Sequence, residues 1–252
     1  MIRVIMHGCN GRMGQNITRL AKEDKDIEIV AGIDPFDEGK NDYPVFKSIA
    51  DCDVDADVVI DFALATAVDG LLDYCVAKNL PVVLCTTGLN DDQLKKVEDV
   101  SKKIAVLKSA NMSLGINLLI KLLKENAPVL AEAGFDIEIV EKHHKMKKDA
   151  PSGTALALAD SINASMNDKY TYVYDRSPRS EARRESEIGI SAVRGGTIVG
   201  DHDVIFAGED EVVTFSHTAY SRAVFAKGAI SAAKFLAGKG AGYYSMLDVV
   251  NC

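Results

Sequence analysis

The stretch "IRVIMHGCNGRMG", residues 2–14, decides the fold class of this chain. An apolar run of the kind that forms a buried strand ends at Gly8, and a helical pattern begins at Arg12. The turn between them contains glycines at Gly8, Gly11 and Gly14. Glycine permits a tight turn and close approach of a ligand to the backbone, and the N-terminus of a helix attracts phosphate. The stretch therefore predicts a turn that binds a dinucleotide, with an ordinary turn and incidental glycines as the alternative.

An acid at the end of the second predicted strand supports the dinucleotide interpretation. The run "IEIVAGID", residues 27–34, ends on Asp34, twenty residues after Gly14. An acid in this place binds a ribose hydroxyl of the cofactor. It favours a free 2′-hydroxyl over a 2′-phosphate, and Pro35 supplies no charge for such a phosphate. We therefore expect NADH as the cofactor, with NADPH as the alternative because Arg12 could partly compensate.

The pattern of strand and helix continues through the first hundred residues. Further β-type runs occupy 57–62, 81–88 and 104–111, and helical stretches occupy 65–78 and 91–103. Strands that alternate with helices of this length indicate a Rossmann-like, doubly wound parallel sheet in an α/β protein.

The pattern changes after Asn111. A predicted helix at 117–130, a half-buried strand at 135–144 and a helix at 151–164 precede a series of β-type runs at 170–216. Consecutive strands with hairpin-like punctuation indicate a second, α+β domain built on a mixed sheet. A final helix with many small residues is predicted at 223–238.

Composition excludes several classes of partner. The net charge of −8 argues against a nucleic acid or a membrane surface, since both require a basic face. No apolar run is long enough to cross a membrane, and the first residues read as a strand, so we expect a cytoplasmic protein. The five cysteines are odd in number and scattered, which predicts free or buried thiols in a reducing compartment.

A basic cluster interrupts this acidic chain in "EKHHKMKKDAPSGTALALADSI", residues 141–162. Adjacent residues of a strand point to opposite faces, so His143 and His144 are poor candidates for ligands of one metal ion, and no metal is expected. The cluster also holds four lysines, which should lower one another's pKa: Lys142, Lys145, Lys147 and Lys148.

The Pro-Ser-Gly-Thr turn at 151–154 predicts the start of a helix with exposed amides at residues 152–154. A carboxylate there would accept several hydrogen bonds, while Lys147 and a histidine could hold a second carboxylate or supply a proton. The expected ligand is a small dicarboxylate. The alternative is a solvated basic turn in front of a surface helix.

Two further loops follow predicted strands of the parallel sheet. "CTTG" at 85–88 and "SANMS" at 109–113 lie at carboxyl ends of strands, where ligands bind in open α/β sheets. The first could contact the nicotinamide or the substrate, and the second also marks the crossover between the two predicted domains. For the first, a capped turn is the alternative.

The central stretch resembles the signature E-x-H-H-x-x-K-x-D-A-P-S-G-T-A of the 4-hydroxy-tetrahydrodipicolinate reductase family. The segments "GCNGRMG", "TTG", "SANMSLGIN", "RGGTIVGDHDVIFAGEDE" and "HTAYSRAVFAKGA" are similar to that family as well, so the resemblance covers nearly the whole chain. It implies a dinucleotide-binding domain of residues 1–112 plus 223–252. It also implies a substrate-binding and tetramerisation domain of residues 113–222, in a homotetramer.

The resemblance also implies roles for individual residues. His143 and Lys147 would be the acid–base residues, and the substrate carboxylates would be held by His144, Gly153 and Thr154. The pyrophosphate would be contacted by Gly8, Cys9, Asn10, Gly11, Arg12 and Met13, and the adenosine ribose by Asp34. The nicotinamide side would be lined by Cys85, Thr86, Thr87, Ser109, Ala110, Asn111 and Met112. The chain departs from the family at Met112, where an aromatic residue is common, and at Pro35, where some members have Arg.

The reaction implied is reduction of 4-hydroxy-tetrahydrodipicolinate to tetrahydrodipicolinate by NADH or NADPH, in lysine and diaminopimelate biosynthesis. Loss of water from the substrate would leave a conjugated dihydropyridine. Hydride would then add at its C4, and Lys147, aided by His143, would protonate the adjacent carbon. The substrate is expected between the domains, with closure at hinges near Asn111 and Arg222.

Three other functions compete with this one. A semialdehyde dehydrogenase would need a nucleophilic cysteine with a histidine partner, and no cysteine lies near the basic cluster. A non-catalytic dinucleotide sensor would need no acid–base pair. A metal hydrolase would use His143 and His144 as ligands.

Overall fold

The computed structural model describes residues 1–37 and 39–251. The chain forms two compact units, each with its own sheet. The first comprises Met1–Leu114 and Ala223–Cys252, and the second comprises Gly115–Arg222.

The first unit contains seven strands and five α-helices among the described residues, numbered in chain order over the whole molecule. The strands are β1 (Ile2–His7), β2 (Ile27–Ile33), β3 (Val45–Phe46), β4 (Val58–Asp61), β5 (Val82–Leu84), β6 (Ala105–Lys108) and β12 (Gly242–Tyr244). The α-helices are α1 (Arg12–Lys22), α2 (Val68–Lys78), α3 (Asp91–Ser101), α6 (Ala223–Leu236) and α7 (Met246–Val250). Two short 3₁₀ helices lie at Ile49–Asp51 and Ala65–Ala67.

These strands form one parallel sheet in the order β12-β6-β5-β4-β1-β2-β3. The chain runs outward in one direction from β1 to β3 and then in the other from β4, so the strand order reverses between β1 and β4. In an open α/β sheet the crevice at such a reversal, at the carboxyl ends of the strands, binds the ligand. The predicted doubly wound parallel sheet is confirmed.

The central strands of this sheet are apolar on both faces. Val4, Ile5 and Met6 of β1 are consecutive and fully buried. Helices cover both sides of a parallel sheet, which removes the alternation seen in half-exposed strands. Small residues bring α6 close to its neighbours, since a Cβ at Gly228 would collide with the carbonyl oxygen of Met112. Helix α6 therefore packs directly against the backbone at Met112.

The second unit is built on a five-stranded mixed sheet. Its strands are β7 (Asp136–His143), β8 (Thr171–Val173), β9 (Glu187–Arg194), β10 (Gly200–Ala207) and β11 (Val212–Ala219), in the order β11-β10-β7-β9-β8. The central strand β7 is antiparallel to β10 and parallel to β9. The helices are α4 (Leu114–Glu132) and α5 (Gly153–Ala164). The predicted mixed sheet is confirmed.

Strand β7 alternates strictly between half-buried and buried residues. Ile137 and Ile139 on the buried face pack in a core with residues of α4 and α5. Because side chains alternate along a strand, Glu141 and His143 lie on this same face, and both are buried. The apolar face of β7 thus ends in two buried polar groups, which mark the candidate site.

Four of the five cysteines lie in the described residues, and all four are free: Cys9, Cys52, Cys75 and Cys85. Cys252 lies outside the described residues. Burial raises the pKa of Cys9 to about 12 and the pKa of Cys85 well above the usual thiol value. Neither thiol is poised as a nucleophile, which argues against the semialdehyde dehydrogenase alternative. The prediction of free thiols is confirmed for these four residues.

Within residues 1–37 and 39–251, every helix is too short or too polar to traverse a lipid bilayer.

Candidate active site

A cleft of about 560 Å³ opens at the carboxyl ends of β1, β2 and β4 in the first unit. Its lining includes His7, Gly8, Gly11, Asp34 and Phe62. Gly8 has φ +82°, and a Cβ there would lie 2.8 Å from the carbonyl oxygen of Phe62, so this position requires glycine. The glycine turn and Asp34, predicted separately from the sequence, meet in this one cleft.

Helix α1 begins directly after Gly11 at the edge of the cleft. Gly11 has no side chain to cap the helix, and the first turn contains no acidic residue. The N–H groups of that turn are therefore available to an anion, and the helix dipole favours negative charge there.

The side chain of Asp34, directly after β2, binds the glycine loop by a hydrogen bond. Its two oxygens accept hydrogen bonds from the backbone N–H groups of Asn10 and Phe36, each at 3.1 Å. Each carboxylate oxygen has a second lone pair for a ribose hydroxyl. The loop and the acid are thus held in one arrangement that fits a dinucleotide.

The remaining cofactor residues predicted in the first unit are not all exposed. The side chain of Cys9 is fully buried, so only its backbone could contact a ligand, and Met112 is buried in the core of the unit. Arg12, Thr87 and Ala110 are exposed. Thr86 is buried, and the others are partly buried: Asn10, Met13, Cys85, Ser109 and Asn111.

A buried polar network at the floor of this cleft was missed by the sequence interpretation. Asp61, at the end of β4, is fully buried. It accepts hydrogen bonds from His7 Nδ1 at 2.7 Å, from Thr86 Oγ1 at 2.6 Å and from the Ala63 amide at 3.1 Å. Thr86 was predicted on the nicotinamide side, and its hydroxyl is in hydrogen-bond contact with Asp61. A histidine directly before Gly8 and an acid ending β4 were the available signals.

A second polar network, in the second unit, is centred on Glu141. This side chain is 0% exposed, and one carboxylate oxygen lies 2.6 Å from His143 Nδ1. Arg194 donates to both carboxylate oxygens, at 2.6 and 2.7 Å. Burial alone would raise the pKa of Glu141. The hydrogen bonds from Arg194, His143 and the Ser152 amide together outweigh burial, so the pKa lies below its usual value and the carboxyl is ionised.

The start of α5 is attached to the same carboxylate. The Ser152 amide donates to Glu141 at 2.9 Å, and the Ser152 hydroxyl accepts from the Ala155 amide at 3.1 Å as the helix cap. The expectation of an exposed amide at Ser152 is therefore wrong, because Glu141 already occupies that donor. Gly153 is exposed at the first helical position, where an N–H has no partner within the helix.

His202 on β10 completes this network from the other side of Ser152. Its Nε2 lies 3.0 Å from Ser152 Oγ, and its ring meets that of His143 edge to face, with centroids 5.2 Å apart. Burial and the neighbouring His143 lower the pKa of His202 to about 4, so the ring is neutral at pH 7. Its Nδ1 is buried without a partner in the described part of the chain. An orphaned buried N–H is rare, so the hydrogen belongs on Nε2 and is donated to Ser152.

Two of the lysines near this network, Lys142 and Lys147, have carboxylate partners. Lys147 is partly buried and pairs with Asp149 at 2.8 Å, and its amide donates to the carbonyl of His144. Lys142 pairs with Asp203 of β10 at 2.8 Å, which raises its pKa. The expectation that clustered lysines lower one another's pKa is wrong for Lys142, because its hydrogen bond to Asp203 on the neighbouring strand and the charge of that acid raise its pKa.

Strand β7 ends at His143, and His144 follows it half-buried. The structure thus brings together His143, Ser152 and Glu141, with Lys147 on the loop between β7 and α5. The sequence motif includes Glu141 without indicating a role for it, and no local pattern points to Arg194 or His202.

Comparison with known proteins covers both units. Residues 2–112 match the family described as "Dihydrodipicolinate reductase, N-terminus", and residues 115–250 match "Dihydrodipicolinate reductase, C-terminus". The chain is 56% identical over 254 residues to 4-hydroxy-tetrahydrodipicolinate reductase of Caldanaerobacter subterraneus subsp. tengcongensis, covering 99% of this chain and 98% of that one. It is 50% identical over 251 residues to the protein of the same name from Clostridium tetani, covering 100% and 98%.

A solved structure shares the fold. Dipicolinate-bound dihydrodipicolinate reductase from Paenisporosarcina sp. TG-14 superposes with a TM-score of 0.80 at 26% identity, over 97% of each chain. The family models and the full-length relatives agree with the resemblance of the central motif. The chain therefore belongs to the dihydrodipicolinate reductase family of oxidoreductases.

Proposed function

We propose that this protein reduces 4-hydroxy-tetrahydrodipicolinate to tetrahydrodipicolinate with NADH or NADPH, in lysine and diaminopimelate biosynthesis. The observation that carries the proposal is the buried His143–Glu141 pair beside the N-terminus of α5. A dicarboxylate needs cationic or N–H donors for its charges, and its reduction needs one positioned proton donor.

The first unit would hold the cofactor. Its pyrophosphate would lie against the loop of Gly8, Cys9, Asn10, Gly11, Arg12 and Met13, and Asp34 would accept a hydrogen bond from the adenosine ribose. The bound cofactor would supply a hydride to C4 of the substrate after the 4-hydroxyl has left as water. The cleft fits this group, since Gly8 leaves the backbone bare and α1 begins without a side-chain cap. Asp34 favours NADH, because a 2′-phosphate would lie beside its charge.

The nicotinamide side would be formed by the ends of β5 and β6. Thr87 and Ala110 are exposed there, and Thr86 stiffens the loop through Asp61. We assign this side to the set predicted from the family: Cys85, Thr86, Thr87, Ser109, Ala110, Asn111 and Met112.

His144, Gly153 and Thr154 would bind the substrate carboxylates. Gly153 and Thr154 begin α5, a helix of twelve residues whose dipole favours an anion at this end. The relative from Paenisporosarcina is described as bound to dipicolinate, a planar ring with two carboxylates. That description supports a dicarboxylate site in this family.

His143 and Lys147 would handle the proton. The carboxylate of Glu141 fixes hydrogen on Nδ1 of His143, so Nε2 is the atom that can exchange a proton with substrate or water. Gly200 lies against this Nε2, since a Cβ there would lie only 3.0 Å from it. Lys147 would then deliver the proton to the carbon beside the reduced one.

Because the two ligands are assigned to different units, hydride transfer requires closure at hinges near Asn111 and Arg222. Small-angle scattering with both ligands bound should show compaction, and unchanged curves would count against closure. A homotetramer is part of the proposal, and multi-angle light scattering tests it.

An assay coupled to dihydrodipicolinate synthase tests the function, run with NADH and NADPH in turn. The proposal predicts substrate-dependent cofactor oxidation, faster with NADH. Oxidation that does not depend on the synthase product would contradict it.

A further inference from the structure

Glu141 connects more of the candidate site than either proposed acid–base residue does. Its carboxylate contacts the His143 ring at 2.6 Å, the Ser152 amide at 2.9 Å and the Arg194 guanidinium at 2.6 and 2.7 Å. These partners come from the end of β7, the start of α5 and the end of β9. One buried carboxylate thus fixes three elements relative to one another.

Arg194 extends this network to the loop that carries Lys147. It lies opposite His143 in the register of β7 and β9, and its Nη2 donates to the carbonyl oxygen of Asp149 at 2.6 Å. The carboxylate of Asp149 in turn pairs with Lys147 at 2.8 Å. A continuous series of contacts therefore runs from the His143 ring to the Lys147 ammonium.

The charges in this series constrain the hydrogen positions. Arg194 forms a bidentate pair with Glu141, which holds the carboxylate ionised although it is buried. An ionised carboxylate only accepts hydrogen bonds, so His143 must donate through Nδ1. The ring plane and the tautomer of His143 are then set by groups that would not touch the substrate.

We propose that Glu141 and Arg194 are positioning residues of the reductase reaction: Glu141 fixes the tautomer of His143, and Arg194 fastens the Lys147 loop to the same carboxylate. The proposal rests on the proposed function for its kinetic consequences. Its structural consequence, the tautomer of His143, does not depend on activity.

Glu141→Gln tests whether Glu141 fixes the tautomer of His143. The glutamine amide keeps the shape of the glutamate side chain, but only one of its two terminal atoms can accept a hydrogen bond. We expect kcat to fall by about 10²-fold, the scale of lost orienting partners of a functional histidine. KM for the substrate should change far less, since Gly153 and Thr154 remain. The pH dependence of kcat should also change, which general loosening of the fold would not produce.

Glu187→Gln is the matched control. Glu187 is a buried carboxylate on β9 of the same sheet, paired with Arg176 at 2.8 Å, and it has no contact with His143 or Glu141 among the described residues. This control should keep wild-type kcat and pH profile. A Glu141→Gln enzyme with the kinetics of the Glu187→Gln enzyme would overturn the proposal.

The double variant Glu141→Gln/Arg194→Met covers the case in which the single variant does not fold. Removing both partners leaves no lone buried charge, and such replacements are tolerated in other proteins. The double variant should fold, bind dipicolinate and retain the low kcat. Wild-type turnover in a folded double variant would overturn the proposal.

Nitrogen-15 NMR of the histidine rings separates this inference from the proposed function. The His143 signals, assigned by their loss in His143→Gln, should show hydrogen on Nδ1 in the wild type and a mixed population in Glu141→Gln. The same tautomer in both proteins would overturn the positioning role even if the enzyme is active. The expected tautomers in a wild type that does not reduce the substrate would instead contradict the proposed function alone.

Discussion

Each unit holds one buried carboxylate that contacts the Nδ1 of a histidine, but the two carboxylates have different counter-charges. Asp61 contacts His7 at 2.7 Å, and Glu141 contacts His143 at 2.6 Å. Glu141 is also paired with Arg194. Among residues 1–37 and 39–251, no Lys or Arg contacts Asp61, whose other donors are a hydroxyl and an amide.

The different counter-charges give the two carboxylate–histidine pairs different energetic roles. Asp61 joins the ends of β1, β4 and β5 below the proposed cofactor cleft by hydrogen bonds from neutral groups and His7. Glu141 belongs to an ion pair whose halves neutralise each other inside the protein. Truncating one half of such a pair leaves an uncompensated charge, whereas losing a neutral hydrogen bond costs much less. The second unit should therefore be the more sensitive to substitution.

The largest expected effect lies in the second unit and concerns turnover. Lys147→Ala or His143→Ala should lower kcat by roughly 10²–10⁴-fold, the usual contribution of an acid–base group. The dissociation constant for NADH should stay unchanged, because the proposed cofactor cleft belongs to the other unit. Stopped-flow kinetics and fluorescence titration measure the two quantities. Undiminished turnover of Lys147→Ala would contradict the assignment of Lys147 as an acid–base residue.

The next effect compares the stability of the two networks. Arg194→Met should lower the free energy of unfolding by about 3–5 kcal/mol, because it leaves Glu141 buried and unpaired. Thr86→Val should cost about 1–3 kcal/mol, since it removes one hydrogen bond to Asp61. Chemical denaturation of both variants checks the order. Equal losses of unfolding free energy in the two variants would contradict the prediction that the charge of Arg194 makes the Glu141 network the more sensitive one.

Acid should weaken the second unit through His202. An unfolded histidine has a pKa near 6.5, while burial and the neighbouring His143 lower the folded value to about 4. As the pH falls from about 6.5 to 4, the unfolded chain gains a proton that the folded protein does not bind, so stability falls by about 3 kcal/mol. His202→Asn should lose this part of the pH dependence. Parallel stability curves for wild type and variant would contradict the prediction.

The smallest effect concerns the choice of cofactor in the first unit. Asp34→Asn removes a negative charge from the place proposed for the ribose. The preference for NADH over NADPH should fall by roughly fivefold, equivalent to about 1 kcal/mol for one partly screened charge. Steady-state kcat/KM with each cofactor measures it. An unchanged ratio would mean that Asp34 does not contact the ribose.

The sequence predicts those parts of the two units that are encoded in one contiguous segment. The glycine loop and Asp34 are encoded within one strand–helix–strand segment, so local pattern was sufficient to find them. The partners in the buried networks lie far apart in sequence: His7 and Asp61 by 54 positions, and Glu141 and Arg194 by 53. Strand register brings each pair together, and no local periodicity encodes it.

Short elements escaped prediction for a related reason. The two-residue β3 and the three-residue β12 form through pairing with β2 and β6, and runs this short carry no periodic signal. The amide of Ser152 was expected to be open because helix starts usually are. It is occupied because β7 places Glu141 beside it, which only the tertiary structure reveals.

The central claim is that the basic cluster of the second unit binds a dicarboxylate at the start of α5. A crystal structure with pyridine-2,6-dicarboxylate, at a concentration that inhibits the enzyme, tests it most directly. We expect one carboxylate on the amides of Gly153 and Thr154, with the ring near His143 and Lys147. An inhibitor found elsewhere, with this corner occupied only by solvent, would contradict it.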